Sequence, residues 1–335
     1  MIDPKPTLSI VITSYTLDRL NDITELLDSL NNQTRNPDEI IVVVEKSGEL
    51  FEQIKRYAEE KPLLNTRVVF NNGEPGLSAG RNLGIKEATG DIIAFIDDDA
   101  LPSPDWAEEM VKTYQDDSVI GVTGPAIPLW EDESMAWFPE EFYWIIGCTA
   151  WYTDNRVNGI APMRNVWGMN MSFRREAFDS AGVFSNNIGG IQGRRLHGEE
   201  VELSLRVKGK TGKRIVYNPR VKVQHKVSKS RLSIKSIARS SYWIGHTRPM
   251  LKRLYPQTEA DTNFLDIEYR LLKRILTRLF PSILKDIFKN PVSAWHRFWV
   301  MVIALSSVAF GYLSYLFQSL FGHGKTLAGE EKMQT

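Results

Sequence analysis

A chain of 335 residues with 42% hydrophobic content is long enough to bury a sizeable core as one large or two modest domains. Lysine plus arginine and aspartate plus glutamate number 41 each, so the net charge is zero and no overall field favours nucleic acid as a partner. Cys148 is the only cysteine, which excludes an intramolecular disulfide and a cysteine-based metal site and fits a reducing compartment.

The opening "MIDPKPTLSIVITSY" has no basic region followed by a long apolar core, so no secretory signal is expected. "LSIVIT" (8–13) predicts a first buried strand, and Leu17, Leu20, Ile23, Leu26, Leu27 and Leu30 recur at helical spacing up to Pro37. "EIIVVV" (39–44) reads as a second strand and is followed by a helix around Phe51, Ile54 and Tyr57. "RVVF" is a third strand, "GLSAGRNLGIKEATG" a glycine-bracketed helix, and "DIIAFI" a fourth strand. This alternation predicts a doubly wound α/β sheet with right-handed crossovers. Ser103 and Pro104 supply an N-cap and first-turn proline for a helix through Trp106 and Met110. Beyond Val119 the pattern loosens into the strands "VIGVTGPA", "NMSF", "RIVY" and "VKVQHKV", separated by long loops.

Toward the C-terminus, "RLLKRILTRLFPSILKDIFKNPVSAWHRFW" mixes Leu, Ile and Phe with Lys and Arg, as interfacial helices do. The segment Trp299 to Phe321 then carries no formal charge, and crossing a bilayer takes about 20 residues. A single transmembrane helix is expected, with the large N-terminal part on the cytoplasmic side because basic residues are concentrated ahead of the span. The alternative is a buried helix, since Ser306, Ser307, Gly311 and Gln318 dilute the apolar signal.

Asp97, Asp98 and Asp99 follow the fourth strand directly and so lie at its carboxyl end, the edge where open α/β sheets bind ligands. Alternation places Asp97 and Asp99 on one face and Asp98 on the other. Two carboxylates on one face suit a hard divalent cation such as Mg²⁺ or Mn²⁺; a solvated acidic turn capping the next helix is the other reading. Arg81 can bind phosphate through two donors or tie its helix to the acidic loop. Glu199, Glu200 and Glu202 open a helix whose Leu203 and Val207 face inward, where acids are favourable in any case. His225 shares a strand face with Val221, Val223 and Val227, which also suits a core histidine. Neither a dinucleotide fingerprint nor a Walker phosphate loop is present, against dehydrogenase and ATPase readings.

Taken in order, "LSIVITSYT", "EIIVVVEKSG", "GLSAGRNLGIKEATGDIIAFIDDDA" and the later acidic motif "HGEEVELSLRV" resemble the family 2 nucleotide-sugar glycosyltransferases of the GT-A fold, over roughly Thr7 to Arg231. The resemblance implies a nucleotide-sugar site at Thr13, Tyr15, Glu45, Arg81, Asp97 and Asp98, with Asn82 assisting. Asp is more usual at the Glu45 position. It implies a divalent metal, Mn²⁺ or Mg²⁺, on Asp99, Asp97 and His225, and an arginine, Arg231, closing over the diphosphate. The acidic pair is Glu-Glu here where Glu-Asp is common; its second member, Glu200, is the implied general base and Glu199 the alternative. The implied division is a nucleotide-sugar-binding half at 1–118, an acceptor-binding half at 119–232, a helical interfacial region at 233–298, the span at 299–321 and a tail at 322–335.

"FPEEFYWIIGCT", "NVWGMNMSFRREAF", "GGIQGRRLHGEE", "YNPRVKVQHKVSKSR" and "RSSYWIGH" narrow the likeness to the archaeal branch that extends dolichyl-phosphate-linked glycans, notably the glucuronosyltransferases of N-glycan assembly. That branch implies Trp167, Gly168 and Asn170 at the acceptor pocket. It further implies Trp137, Phe138, Phe142 and Trp144 as a lid or lipid-facing rim, and Arg174 and Arg175 for an acidic sugar or phosphate. The expected activity is inverting, metal-dependent transfer of a sugar, first of all glucuronate from UDP-glucuronate, to a lipid-linked sugar at the cell membrane. A polyprenyl-phosphate sugar synthase and a non-catalytic, membrane-tethered sugar-binding module are the competing expectations.

Overall fold

Runs of Val and Ile buried on both faces form strands here, and apolar residues at helical spacing cover them. The computed structural model describes residues 6–61, 65–149, 159–186, 188, 190, 191, 194, 195, 198–255 and 266–321. Gly189, Gln192, Gly193, Leu196, His197 and the tail from 322, all within segments singled out above, lie outside them. The chain divides into two compact units. The first comprises Met1–Leu129, Tyr152–Arg194 and Glu199–Lys226, the second Trp130–Trp151, Arg195–Gly198 and Val227–Thr335.

In chain order the first unit begins β1 (Leu8–Ser14), α1 (Leu20–Asn31), β2 (Glu39–Glu45), α2 (Gly48–Glu60), β3 (Thr66–Asn71), α3 (Leu77–Glu87) and β4 (Ile92–Ile96). There follow β5 (Ala100–Pro102), α4 (Trp106–Thr113), β6 (Val119–Thr123), β7 (Ala126–Trp130), β8 (Ala161–Met163), β9 (Asn170–Arg174) and α5 (Arg175–Ala181). The two-residue strands β10 (Gly190–Ile191) and β11 (Arg194–Arg195) pair with each other. Then come α6 (Glu199–Thr211), β12 (Arg214–Tyr217) and β13 (Val223–Val227).

The main sheet has the order β3-β2-β1-β4-β9-β6-β12-β8. β1 to β4 pair in parallel, as the strand and helix alternation predicts. β9 enters antiparallel between β4 and β6, so the sheet is mixed. Residues alternate cleanly between two cores. Ile10, Ile12, Val42 and Ile96 meet α1 and α4, while Val11, Val43, Phe95 and Phe173 meet Phe178, Phe184 and Leu203.

Two local expectations are corrected. The run "VIGVTGPA" is two strands, β6 and β7, which join different sheets on either side of Gly124 and Pro125. Ser103 does not cap α4, because its hydroxyl donates to the Lys222 carbonyl at 3.2 Å and Asp105 takes the cap position. The consequence is a small second sheet, β5-β13-β7, in which β13 runs antiparallel to β5 and sets His225 opposite Ala100.

The second unit is helical: α7 (Ile234–Leu254), α8 (Asp266–Arg274), a π-helical turn (Ile275–Leu279), α9 (Phe280–Asp286) and α10 (Pro291–Phe321). Phe138 and Phe142 are fully buried with Ile237, Ile283 and Ala304, and Trp137 and Trp144 pack against the same core. The expected lid or lipid-facing rim is therefore corrected: these aromatics are the interior of this unit. Arg231 also lies in it, its Nη1 donating to the Ile146 carbonyl at 3.0 Å.

Candidate active site

β4 ends at Ile96, and the next three residues carry carboxylates at the carboxyl edge of the sheet. Asp99 is 3% exposed and Asp97 34% exposed, so one is enclosed and the other opens to solvent. Asp98 accepts a hydrogen bond of 2.6 Å from the Ser14 hydroxyl of β1. Burial, reinforced by the Asp99 charge, pushes the Asp98 carboxyl up to about 7.

The β5–β13 register delivers the next member. The Lys226 N–H donates to the Asp99 carbonyl at 2.9 Å, and the neighbouring His225 places Nε2 3.0 Å from Asp99 Oδ1 and 3.8 Å from Asp97 Oδ2. One donor atom from each of Asp97, Asp99 and His225 lies within 4.8 Å of the others. Two carboxylate oxygens and an imidazole nitrogen, with one member facing solvent, suit a divalent cation that keeps open positions.

Two arginines complete the cluster. Arg19, just ahead of α1, reaches Asp99 Oδ2 at 3.0 Å, Asp98 Oδ1 at 3.8 Å and Asp22 at 3.0 Å. Burial opposes its charge, but Asp99 and Asp98 outweigh that and raise its pKa. Nothing in "YTLDRL" marks this residue, and sequence reading missed it. Asp22 also holds Lys226 at 2.7 Å, which ties α1 to β13. Arg81 on α3 is 3% exposed and meets Glu199 at 2.9 Å, Asp97 at 3.5 Å and the Gly168 carbonyl at 3.1 Å. Its donors are aimed at protein groups, so the tie to the acidic loop is what forms, in place of the expected guanidinium open to a diphosphate. Asn82 likewise exchanges two hydrogen bonds with the Phe184 backbone, at 2.8 and 2.9 Å, and is not turned toward phosphate.

Glu199 and Glu200 open α6 after Gly198, which holds φ 119°. Glu199 is buried against Arg81, whereas Glu200 is half-buried and its backbone carbonyl accepts from the Ser204 hydroxyl at 2.6 Å. The structure thus brings Asp97, Asp98, Asp99, Arg81, Glu199, Gly168 and His225 into one connected network. Thr13, Tyr15 and Glu45 stand at the same strand edge on β1 and β2. Tyr15 is exposed, with the Lys46 ammonium 5.6 Å from its ring centre, and Glu45 accepts the Gly76 N–H at 2.7 Å. Gly76 holds φ 131°, a conformation open to glycine, so Glu45 fixes the entry to α3.

The acceptor-side residues divide. Trp167 is half-buried, its ring edge-on to Tyr217 at 6.1 Å. Asn170 is fully buried: its side chain accepts from Trp106 Nε1 at 2.9 Å and donates to the Val221 carbonyl at 2.7 Å, which commits both ends of the amide to the core. It is a brace under the site and not part of a pocket wall. Arg174 donates to the Val119 carbonyl at 2.8 Å and Arg175 to the Gly90 carbonyl at 2.9 Å, so both pin backbone in place of an acidic ligand.

A mixed sheet with an acidic, metal-competent run after its fourth strand is the arrangement that the resemblance to GT-A glycosyltransferases implies. The comparisons agree: the glycosyl transferase family 2 profile matches residues 9–182, and the chain belongs to that family. It is 30% identical over 311 residues to the glucosyl-dolichyl phosphate glucuronosyltransferase of Haloferax volcanii, covering 91% of this chain and 95% of that one. Among solved structures it resembles the mannosyltransferase PcManGT of Pyrobaculum calidifontis in complex with GDP-Man and Mn²⁺, at TM-score 0.62 and 19% identity, over 94% of this chain and 88% of that one. GalNAc-T7 with UDP, GalNAc and Mn²⁺ shares the fold at TM-score 0.51 and 15% identity, over 85% and 58% of the two chains.

Two substitutions test these positions. Asn170→Ala leaves a buried indole N–H and a carbonyl unpaired and is expected to lower stability by about 3 kcal/mol, read as a reduced urea midpoint. Glu199→Gln strips a buried arginine of its closest anion, and a loss of about 2 kcal/mol is expected because Asp97 and the Gly168 carbonyl remain. An unchanged midpoint in either variant would contradict the bracing role.

Proposed function

We propose that the chain is an inverting, divalent-metal-dependent transferase that moves glucuronate from UDP-glucuronate to a dolichyl-phosphate-linked sugar in glycan assembly. The observation that carries this reading is the Asp97, Asp99 and His225 cluster at the sheet edge, in a chain similar along most of its length to a glucosyl-dolichyl phosphate glucuronosyltransferase. The Mn²⁺ in the two solved relatives supports a metal here, and the UDP in one of them supports a UDP donor. The apolar helix α10 attaches the protein to the cell membrane, with the nucleotide-sugar-binding part facing the cytoplasm.

In this mechanism Asp99, His225 and Asp97 would hold the cation, which when bound would supply positive charge opposite the departing diphosphate. Arg19 and Arg81 hold the carboxylates in place, so that little reorganisation is needed as charge develops. Thr13, Tyr15 and Glu45 border the nucleotide, with Asp98 behind them on the strand edge. Trp167 and the Gly168 backbone border the acceptor. Glu200 takes the proton from the acceptor hydroxyl while that oxygen bonds to the anomeric carbon and the bond from that carbon to the diphosphate oxygen breaks. One displacement inverts the anomeric centre, and no glycosyl-enzyme forms. Glu199 is less suited to this role, because it is buried and committed to Arg81 at 2.9 Å.

Removal of general-base catalysis lowers rates by roughly 10²- to 10⁴-fold, and Glu200→Gln is expected to lose kcat in that range with donor affinity unchanged. Turnover near that of the unaltered chain would point instead to a polyprenyl-phosphate sugar synthase, whose acceptor is already an anion. Asp99→Asn and chelation should each abolish both transfer and donor hydrolysis; activity that survives chelator removes the metal from the mechanism. Mass spectrometry of lipid products, after incubation of membranes with UDP- and GDP-linked sugars, should show a glucuronate increment with UDP-glucuronate, and no product with any donor would favour the sugar-binding module.

A further inference from the structure

The membrane attachment proposed above leaves open how α10 meets the bilayer, and its packing against α7 answers that. The two helices run against each other through glycine. A Cβ on Gly311 would lie 2.0 Å from the Tyr242 carbonyl oxygen, and one on Gly245 would lie 2.1 Å from the Val308 carbonyl oxygen, so the backbones touch. Tyr242 Oη meets Ser314 Oγ at 3.0 Å, and His246 Nε2 lies 3.4 Å from Gln318 Oε1.

Phe310 is the midpoint of the Trp299–Phe321 segment. Were that segment to cross a bilayer, Gly245 would therefore stand near the bilayer centre. At 1.5 Å per residue, Arg248 would then lie within about 5 Å of the midplane, Arg239 within about 9 Å and Lys252 within about 10 Å. The half-thickness of the hydrocarbon is about 15 Å, so all three charges would be inside it. Arg248 pairs with Glu268 at 3.0 Å, and Arg239, exposed on the surface of this unit, would face lipid. Such charges are expensive at that depth.

In place of the single crossing expected from the sequence, we infer that α10 lies along the plane of the membrane, sunk into one leaflet, and that this protein is monotopic. Trp295, Trp299, Phe310, Leu313, Phe317 and Leu320 are all exposed, and at about 100° per residue they fall on one side of the helix, along nearly its whole length. Ala294, Met301, Ala304, Gly311 and Tyr315 are buried on the opposite side. That division suits a helix with apolar lipid on one side and protein on the other.

A second element repeats the design. Leu272, Leu276, Phe280, Leu284 and Phe288 are exposed at intervals of four through α8, the π turn, α9 and the turn after it. Steps of four drift by about 40° each around an α-helix, and the wider turn at Ile275–Leu279 takes back part of that drift and keeps the stripe together. Lys273, Arg278, Lys285 and Lys289 are exposed beside it. An apolar stripe flanked by cations matches an anionic bilayer surface, where acyl chains lie beneath negative headgroups.

The test uses the full chain with an epitope tag at each end, in sealed membrane vesicles of known sidedness. Protease added from the side that removes the N-terminal tag should remove the C-terminal tag as well; a protected C-terminal tag would overturn the inference. In a second arm, the purified chain should float with vesicles of equal parts phosphatidylcholine and phosphatidylglycerol. Phe288→Glu combined with Phe317→Glu should cut that flotation at least tenfold with the circular dichroism spectrum unchanged. Undiminished flotation of the variant, no flotation of the unaltered chain, or self-association in place of lipid binding would each sink the idea. Transfer to a detergent-dispersed acceptor reports separately on the enzymatic reading, so the two fail independently.

Discussion

Three consecutive carboxylates at the end of one strand set the constraint around which the first unit is arranged. Asp99 and Asp98 are removed from most solvent, and anions so placed must be matched by nearby donors or cations or they will take up protons. The matching groups come from four separate elements: Ser14 from β1, Arg19 from the turn before α1, Arg81 from α3 and His225 from β13. No local segment can assemble this cluster. It exists only when the parallel sheet and the small antiparallel sheet have both formed, so that tertiary structure and candidate site are one construction.

The same network links two acidic motifs that stand a hundred residues apart in the chain. Arg81 contacts Asp97 with one nitrogen and Glu199 with another, while a carbonyl from the Trp167–Gly168 segment caps the same guanidinium. A rigid planar cation with several donors can serve three partners at once, which an ammonium on a flexible stem does less well. The beginning of α6 is therefore positioned relative to the end of β4 by charge as well as by packing. Under the transferase reading, that fixes the acceptor's base with respect to the donor's metal.

Much of this was legible before the fold was known. β1 to β4 read clearly because strands covered on both faces are uniform apolar runs, and the carboxyl edge of β4 follows from that reading. His225 was visible as a candidate through family resemblance, but its contact with Asp99 depends on the β5–β13 register, which a short strand hidden in "ALP" does not announce. Arg19 carries no signal at all. Asn170 illustrates a different limit: a polar residue in a sequence suggests a surface, and only its two core partners reveal that it is interior. The aromatics from Trp137 to Trp144 failed for the converse reason, since a sequence cannot say whether an apolar ring faces a ligand or a core.

The doubled glutamate at the start of α6 shows why two adjacent acids are useful there. Successive residues on a helix point about 100° apart, so Glu199 and Glu200 cannot serve the same partner. Glu199 lies inward and balances Arg81, whose other partners among the described residues are a half-exposed carboxylate, a carbonyl and the face of the Phe184 ring. Glu200 is half-buried at the helix N-terminus and, under the transferase reading, is the member left to take the acceptor's proton. On that reading, electrostatic balance and proton transfer are divided between neighbours, and a single acid at this position would be a poorer design than a pair.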